Sequence, residues 1–525
     1  MKKILYSVLT FFIGTFLTTS CVDDLNQYPH TDTTSEDVYT SVDNYKAVLG
    51  KIYVSFVIAG QEKGGGDSDM SSNTGYDYMR CYFNMQECGT DEVVYTWLEG
   101  DKMSGLTYLS WDDNDVWVAD TYYRIYYTIA LCNEFLRNAT DGNISGFNES
   151  DQAEIVHYRA EARFLRALAY YHALDLYRNI PFVTEEDPVG SYLPPRYTSD
   201  QIFEYIESEL QAIDDDLLDR NACEYGRACK QAAYALLARL YLNAQVYTGT
   251  AHWTDCITYC QKVIDAGYTL ESDYGLLFNA DNDKRTDEII YSFPVDATHT
   301  VSWGATTYII CGAVSNTSDT QVPADYGISS GWSNFRLRGE LPDLFDAADG
   351  RGRFYTEGQT KTIDVVADQS YGYLSEKWTN LTDAGEAASN TDDGGVNTDF
   401  PVFRLADIYL MLAESVVRGG EGSSRSEALD YINALRERAF GDTSGNITDG
   451  QMTADFILDE RARELYLECV RRTDLIRYDK FTTSSYLWQW KGGVQDGQAV
   501  DSKYNYYPIP STELTANPNL YNENY

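Results

Sequence analysis

Between Asp151 and Pro181 apolar and polar positions alternate with a helical period. Ile155, Tyr158, Ala162, Leu165, Ala169, His172 and Leu176 recur in steps of three and four, so they share one face of a long helix, and that face must be buried. Asn179-Ile180-Pro181 stops it, because proline lacks the amide hydrogen and pushes the residue before it out of the helical region. A second helical pattern, 201–218, follows a Pro-rich link and is expected to bury its stripe against the first. The same reading applies to 231–245 with 254–266, and to 405–417 with 425–440. Ala235, Ala238, Ala406 and Ala413 sit where two helices must approach closely.

This pattern resembles tetratricopeptide-like packing, in which each helix pair is unstable alone and stacks on its neighbours. The spacing is irregular, so the expected fold is mainly α, a tetratricopeptide-like helix-pair solenoid with large irregular loop insertions. Segment 60–77 is rich in Gly, Ser and Asp, and 81–115 mixes Trp, Tyr and Asp without helical period. Segments 291–339 and 350–399 are long, Gly-rich and aromatic. Insertions at about 60–115, 291–339 and 350–399 are therefore where a ligand face is expected.

Lys2 and Lys3 precede an apolar run from Ile4 to Leu17, and Thr18-Thr19-Ser20-Cys21 follows. That is the layout of a secretory signal. A cysteine directly after small residues looks like a bacterial lipoprotein cleavage site, although Thr18 stands where leucine is usual. Cys21 is thus the expected lipid anchor, and Asp23-Asp24 resembles a surface-export signal of some Gram-negative lipoproteins. No other run approaches the ~18 apolar residues needed to span a bilayer. The expected organisation is a signal peptide at 1–20, a lipidated tether at 21–44 and a single α domain at 45–525.

Formal charge is −41, from 40 Lys plus Arg against 81 Asp plus Glu. Such a field repels nucleic acid and anionic headgroups but not a neutral ligand. The 44 tyrosines outnumber the 20 phenylalanines, giving rings with a polar tip that suit wet interfaces and sugars, although most are expected between helices. Cysteines beyond Cys21, including the pairs Cys81/Cys88 and Cys256/Cys260, lack zinc-finger spacing and read as buried free thiols. The five histidines form no metal-protease pattern.

Four motifs carry a family resemblance: 161–181 (EARFLRALAYYHALDLYRNIP), 403–414 (FRLADIYLMLAE), 460–478 (ERARELYLECVRRTDLIRY) and 507–514 (YPIPSTEL). With them the chain resembles a SusD-like outer-membrane nutrient-binding lipoprotein over nearly its whole mature length. Its C-terminal end departs from the family pattern at Asn522-Glu523-Asn524-Tyr525. Loop stretches around Trp97, Trp303-Gly304, Gly331-Trp332-Ser333 and 481–493 are similar to the starch-binding founder of that family, where three aromatic rings cradle an α-glucan with help from an arginine and an asparagine. The resemblance implies a carbohydrate site on Trp97, Trp303 and Trp332, with Arg80 as polar clamp. Trp303 replaces a tyrosine, and the asparagine position falls on Gly100. The implied protein is a lipid-anchored, surface-exposed outer-membrane component of a Gram-negative bacterium that captures starch or maltooligosaccharide and delivers it to a SusC-like TonB-dependent transporter.

No cofactor is required for that role. By analogy with some family members, a structural calcium ion could sit on Asp283, Asp287 and Asp399, against the alternative of a solvated acidic loop, since the run lacks the glycine of a calcium loop. Competing readings are a binding protein for a different glycan, a peptide-binding scaffold and a surface glycoside hydrolase. Two carboxylates suffice for hydrolysis, but none falls in a recognised motif. Gly327-Ile-Ser-Ser-Gly331 matches a nucleophile elbow only in letters, because the flanking strand and helix patterns are missing.

Overall fold

The computed structural model describes residues 35–60, 74–318, 320–391 and 394–521. The signal segment and Cys21 lie outside them. The helices that build the scaffold are α1 (Val42–Val54), α2 (Tyr78–Glu87), α3 (Val116–Asn138), α4 (Glu149–Tyr177), α5 (Ser199–Ala212), α6 (Lys230–Leu242) and α7 (Trp253–Ile264). After α8 (Ala305–Ala313) come α9 (Leu405–Val417), α10 (Arg425–Phe440), α11 (Ala454–Leu465) and α12 (Arg471–Arg477). Successive helices pack on each other, α3 on α4, α4 on α5, α6 on α7 and α9 on α10, and α7 against α9 joins the last two pairs. The chain is a mainly α, helix-pair fold. Ala235, Ala238, Ala406 and Ala413 are all fully buried, at the close approaches their size requires.

Helix α4 starts at an Asn148 cap that accepts the Asp151 amide at 3.0 Å. It ends at Tyr177, where Arg178 takes a positive φ of 64° and Ile180–Pro181 pairs as a short strand with Arg196–Tyr197. The stripe face is buried, His172 included. Burial lowers the His172 pKa to about 3, and its Nδ1 meets the Tyr78 hydroxyl at 2.7 Å, joining α4 to α2. Helix α5 carries a Thr198/Gln201 capping box and is shorter than the sequence pattern, ending at Ala212 rather than Leu218.

Two corrections concern the inserted segments. The 81–115 stretch, read as lacking helical period, contains most of α2, and the 291–339 stretch contains α8. All ten residues of α2 and all nine of α8 are buried. Both helices are short and enclosed on every side, and they sit inside aromatic, Gly-rich stretches that read as loop. Helix α4 also has a second large partner in α3, which the pairing with 201–218 did not foresee.

Strand β2 (Ile289–Phe293) pairs antiparallel with β4 (Phe400–Arg404), with a bulge at Tyr291. The long excursion 294–399 therefore leaves and rejoins the scaffold at one ladder. Strands β1 (Val93–Tyr95) and β3 (Phe335–Leu337) pair antiparallel, with Tyr95 opposite Phe335.

Buried ion pairs fasten this excursion to the C-terminal motif. Arg351 reaches Asp349, Glu460 and Glu464 at 2.7 to 2.9 Å, and Lys377 Nζ reaches Glu468 at 2.6 Å. Arg404 bridges Glu288, Glu464 and Glu468. Charges this deep are tolerated only when paired on several sides, and Glu460–Tyr478 supplies the partners.

Candidate carbohydrate-binding site

Trp97, Trp303 and Trp332 come from distant parts of the chain, and two of them, Trp303 and Trp332, bring their rings together at the surface. The β1–β3 ladder continues through Thr96, whose amide donates to the Asn334 carbonyl at 2.7 Å and whose hydroxyl donates to the Ser333 carbonyl at 2.6 Å. That register sets Trp97 alongside the Trp332–Ser333 segment. The Trp303 and Trp332 ring centroids lie 6.0 Å apart with planes inclined at 59°. Trp97 is 39% and Trp303 49% exposed, while Trp332 is half-buried. Large exposed apolar rings grouped this way mark a contact surface.

Each ring is held by tight local geometry. The Trp332 amide donates to the Cys311 carbonyl at 2.7 Å, at the end of α8. Gly331 lies so close to this helix end that a Cβ there would stand 2.4 Å from the Ser315 carbonyl. The Trp303 loop is fastened by Asp77, the buried N-cap of α2. Asp77 accepts the Arg80 amide at 2.8 Å, the Ser302 hydroxyl at 2.5 Å and the Ala305 amide at 3.3 Å. Burial raises the Asp77 pKa, and the Ser302 hydrogen bond opposes that rise. A Cβ on Gly304 would come within 1.7 Å of the Asp77 carboxylate, so only glycine fits.

Arg80 occupies a different place from the one the resemblance implies. It is 3% exposed, with its guanidinium carbon 3.5 Å from the Tyr76 ring centroid and 4.2 Å from that of Tyr308. Its Nη1 donates to the Trp303 carbonyl at 2.7 Å, and its Nη2 lies 3.4 Å from Asp101. Asp101 also accepts the Tyr95 hydroxyl, and Tyr95 in turn accepts the Asn334 amide at 2.9 Å. Arg80 thus acts on the backbone beneath an exposed ring. Sequence reasoning missed Tyr76, Asp77, Tyr95, Asp101 and Asn334. The one available signal was Asp77 as an N-cap, and it passed unread because the sequence around α2 reads as part of an inserted loop.

The three candidate calcium ligands do not converge as a set, although burial raises the Asp399 pKa and the Asp283 charge is near enough to add to that rise. Asp283 is exposed, Asp287 is 81% exposed and 3.4 Å from Arg220, and Asp399 is buried under the Tyr225 hydroxyl at 2.5 Å and the Val295 amide at 2.6 Å. Burial pushes the Asp399 pKa up to about 7. Among the described residues no group of three His, Cys, Asp or Glu side chains is placed to hold a metal ion. The lettered elbow is likewise a loop: Ser329 is exposed and follows a 3-10 turn at Pro323–Tyr326. The described cysteines are free thiols, all buried except the half-buried Cys223. No helix among the described residues is long and apolar enough to cross a membrane.

The SusD family model matches residues 351–525, and a model described as starch-binding associating with outer membrane matches 69–242. The starch-binding protein SusD of Bacteroides thetaiotaomicron is 33% identical, with 97% of this chain and 96% of that one aligned. A SusD-like protein of Bacteroides ovatus is 23% identical, covering 75% and 73%. Two solved structures share the fold at 18% identity: a SusD-like carbohydrate binding protein from Bacteroides fragilis, TM-score 0.71, covering 92% of this chain and 100% of that one, and surface glycan-binding protein A from Bacteroides thetaiotaomicron in complex with laminarihexaose, TM-score 0.69, covering 93% and 100%. The relatives are named as binding proteins. With a full-length relative at one-third identity and family models matching at both ends, the chain belongs to the SusD family.

Proposed function

We propose that this protein is a surface glycan-binding lipoprotein that captures α-glucan, as starch or maltooligosaccharide, and passes it to a SusC-like TonB-dependent transporter while acyl chains on Cys21 tether it to the outer membrane. The observation that carries the reading is the pairing of the Trp303 and Trp332 rings, inclined at 59°, with the exposed Trp97 following the strand that pairs with the segment after Trp332. A pyranose lays its C–H face on an indole and presents hydroxyls at its rim. Inclined platforms suit a chain that turns between successive residues better than a straight one. The charge of −41 favours a neutral ligand, and the relative at 33% identity is named for starch.

Capture followed by release asks for no bond-making step. With each ring contributing about 0.5 to 1.5 kcal/mol beyond area burial, affinity falls roughly in the millimolar to micromolar range, which suits handover. Titration calorimetry of the mature protein with maltoheptaose tests the reading, with cellohexaose as the straight-chain competitor and laminarihexaose as a differently linked glycan. Saturable maltoheptaose binding that disappears in Trp332→Ala supports it; binding unchanged in that variant rejects the platform. New reducing ends released from starch would favour a hydrolase instead, and co-purification from detergent-solubilised outer membrane tests the transporter.

A further inference from the structure

The turn that follows Trp97 carries a carboxylate fastened on one side and open on the other. The Asp101 amide donates to the Trp97 carbonyl at 3.1 Å, the Met103 amide donates to the Leu98 carbonyl at 2.8 Å, and the Trp117 indole donates to the Asp101 carbonyl at 2.7 Å. The backbone at Asp101 is thus fixed from both ends. In the side chain, Oδ2 accepts the Tyr95 hydroxyl and lies 3.4 Å from Arg80 Nη2. Both inner partners meet that one oxygen. Among the described residues nothing hydrogen-bonds to Oδ1, and the side chain is 17% exposed.

Arg80 sets where this oxygen stands. The guanidinium that reaches Asp101 through Nη2 donates through Nη1 to the Trp303 carbonyl, so the carboxylate lies one guanidinium width from the main chain of the ring that pairs with Trp332. Space is open beside it: Gly100 is exposed, and apart from its chain neighbours nothing comes within 4 Å of where a Cβ there would stand. An ionised carboxylate offers only lone pairs, and the donors around a pyranose stacked on an indole are its rim hydroxyls. We propose that Asp101 is a specificity-determining residue of the glycan site, accepting through Oδ1 a hydroxyl of the sugar unit that stacks on Trp303. The inference rests on the glycan reading above and adds to it the polar contact that tells one hydroxyl pattern from another, because a site built to bond a hydroxyl rejects the analogue that lacks it.

The test is titration calorimetry with maltotriose and with maltotrioses lacking the 2-, 3- or 6-hydroxyls, on the wild type, Asp101→Ala, Asp101→Asn and Tyr95→Phe. The wild type is expected to bind at least one deoxy sugar about tenfold more weakly than maltotriose, the loss of one charge-assisted hydrogen bond. Asp101→Ala is expected to bind that sugar and maltotriose alike, and Asp101→Asn to keep a loss of about threefold, since a neutral bond is about half as strong. Tyr95→Phe removes an inner partner and leaves Oδ1 in place, so it is expected to keep the wild-type discrimination. Equal wild-type affinity for all four sugars, or full discrimination retained in Asp101→Ala, overturns the role of Asp101 and leaves the indole platform standing. If Asp101→Ala binds no sugar, Asp101→Asn decides: undiminished discrimination there overturns the role, and a reduced one supports it. Binding of no sugar by the wild type overturns the glycan reading and this inference together.

Discussion

Arg80, buried between two tyrosine rings, donates a 2.7 Å hydrogen bond to the main-chain carbonyl of Trp303, one of the most exposed rings of the molecule. A flat guanidinium can stack on both faces and still reach two acceptors in its plane; a lysine ammonium cannot. Arg80→Lys is therefore expected to weaken maltoheptaose binding by about 1 to 3 kcal/mol, the range for a lost charge-assisted bond with a buried acceptor left over. Calorimetry on protein with unchanged far-UV circular dichroism measures it, and wild-type affinity in this variant would remove Arg80 from the support of the site.

Gly304→Ala tests the same loop from its other side. With 1.7 Å between the built Cβ and Asp77, the 302–305 segment must shift. The expected result is a loss of maltoheptaose affinity comparable to that of Trp303→Ala. Equal affinity in Gly304→Ala and wild type would show that the ring's placement does not depend on this contact.

Trp332 is the half-buried member of the patch and touches Trp303. Trp332→Ala is expected to cost at least about tenfold in affinity, roughly 1.4 kcal/mol, because it removes one platform and loosens the second. Quenching of tryptophan emission on adding maltoheptaose should shrink in parallel, which ties the lost energy to this patch rather than to global unfolding.

Stability is expected to fail on the acid side through the buried carboxylates of α9 and α11. Burial by itself would raise the Glu414 pKa; Arg477, and then Arg418, more than offset it and hold it at about 2, against an ordinary value of 4.5. A depressed folded pKa means the unfolded chain binds the proton first. The contribution is complete above about pH 4.5 and is lost as pH falls toward 2. Glu414→Gln should flatten that part of the acid transition. It should also cost about 3 to 5 kcal/mol at pH 7, since Arg477 keeps only part of its pairing, as read by urea denaturation. A variant as stable as wild type at pH 7 would count against the ion-pair account.

What could be read from the letters differs from part to part. The apolar spacing of α4, α9 and α10 locates them within a few residues, although α9 has no exposed position. Helices α2 and α8 are short and buried at every position, and neither stands out from the aromatic, Gly-rich stretches around it. Trp97, Trp303 and Trp332 were named by resemblance, while Asp77 and Tyr95 bond to Ser302 and Asn334, far away in sequence, for which no local spacing exists. The acidic run 281–288 was misleading for the opposite reason: closeness along the chain put Asp283 and Asp287 near each other, but one faces solvent and the other turns toward Arg220.

The β2–β4 ladder gives the excursion 294–399 a single gateway. Trp303 and Trp332 lie inside it, while Trp97, Arg80 and the helices that carry the load lie outside. A segment exchanged here between relatives would have to match two strand ends, offer β1 a partner strand and bring its own counterparts of Arg351 and Lys377 to plug into Glu460, Glu464 and Glu468.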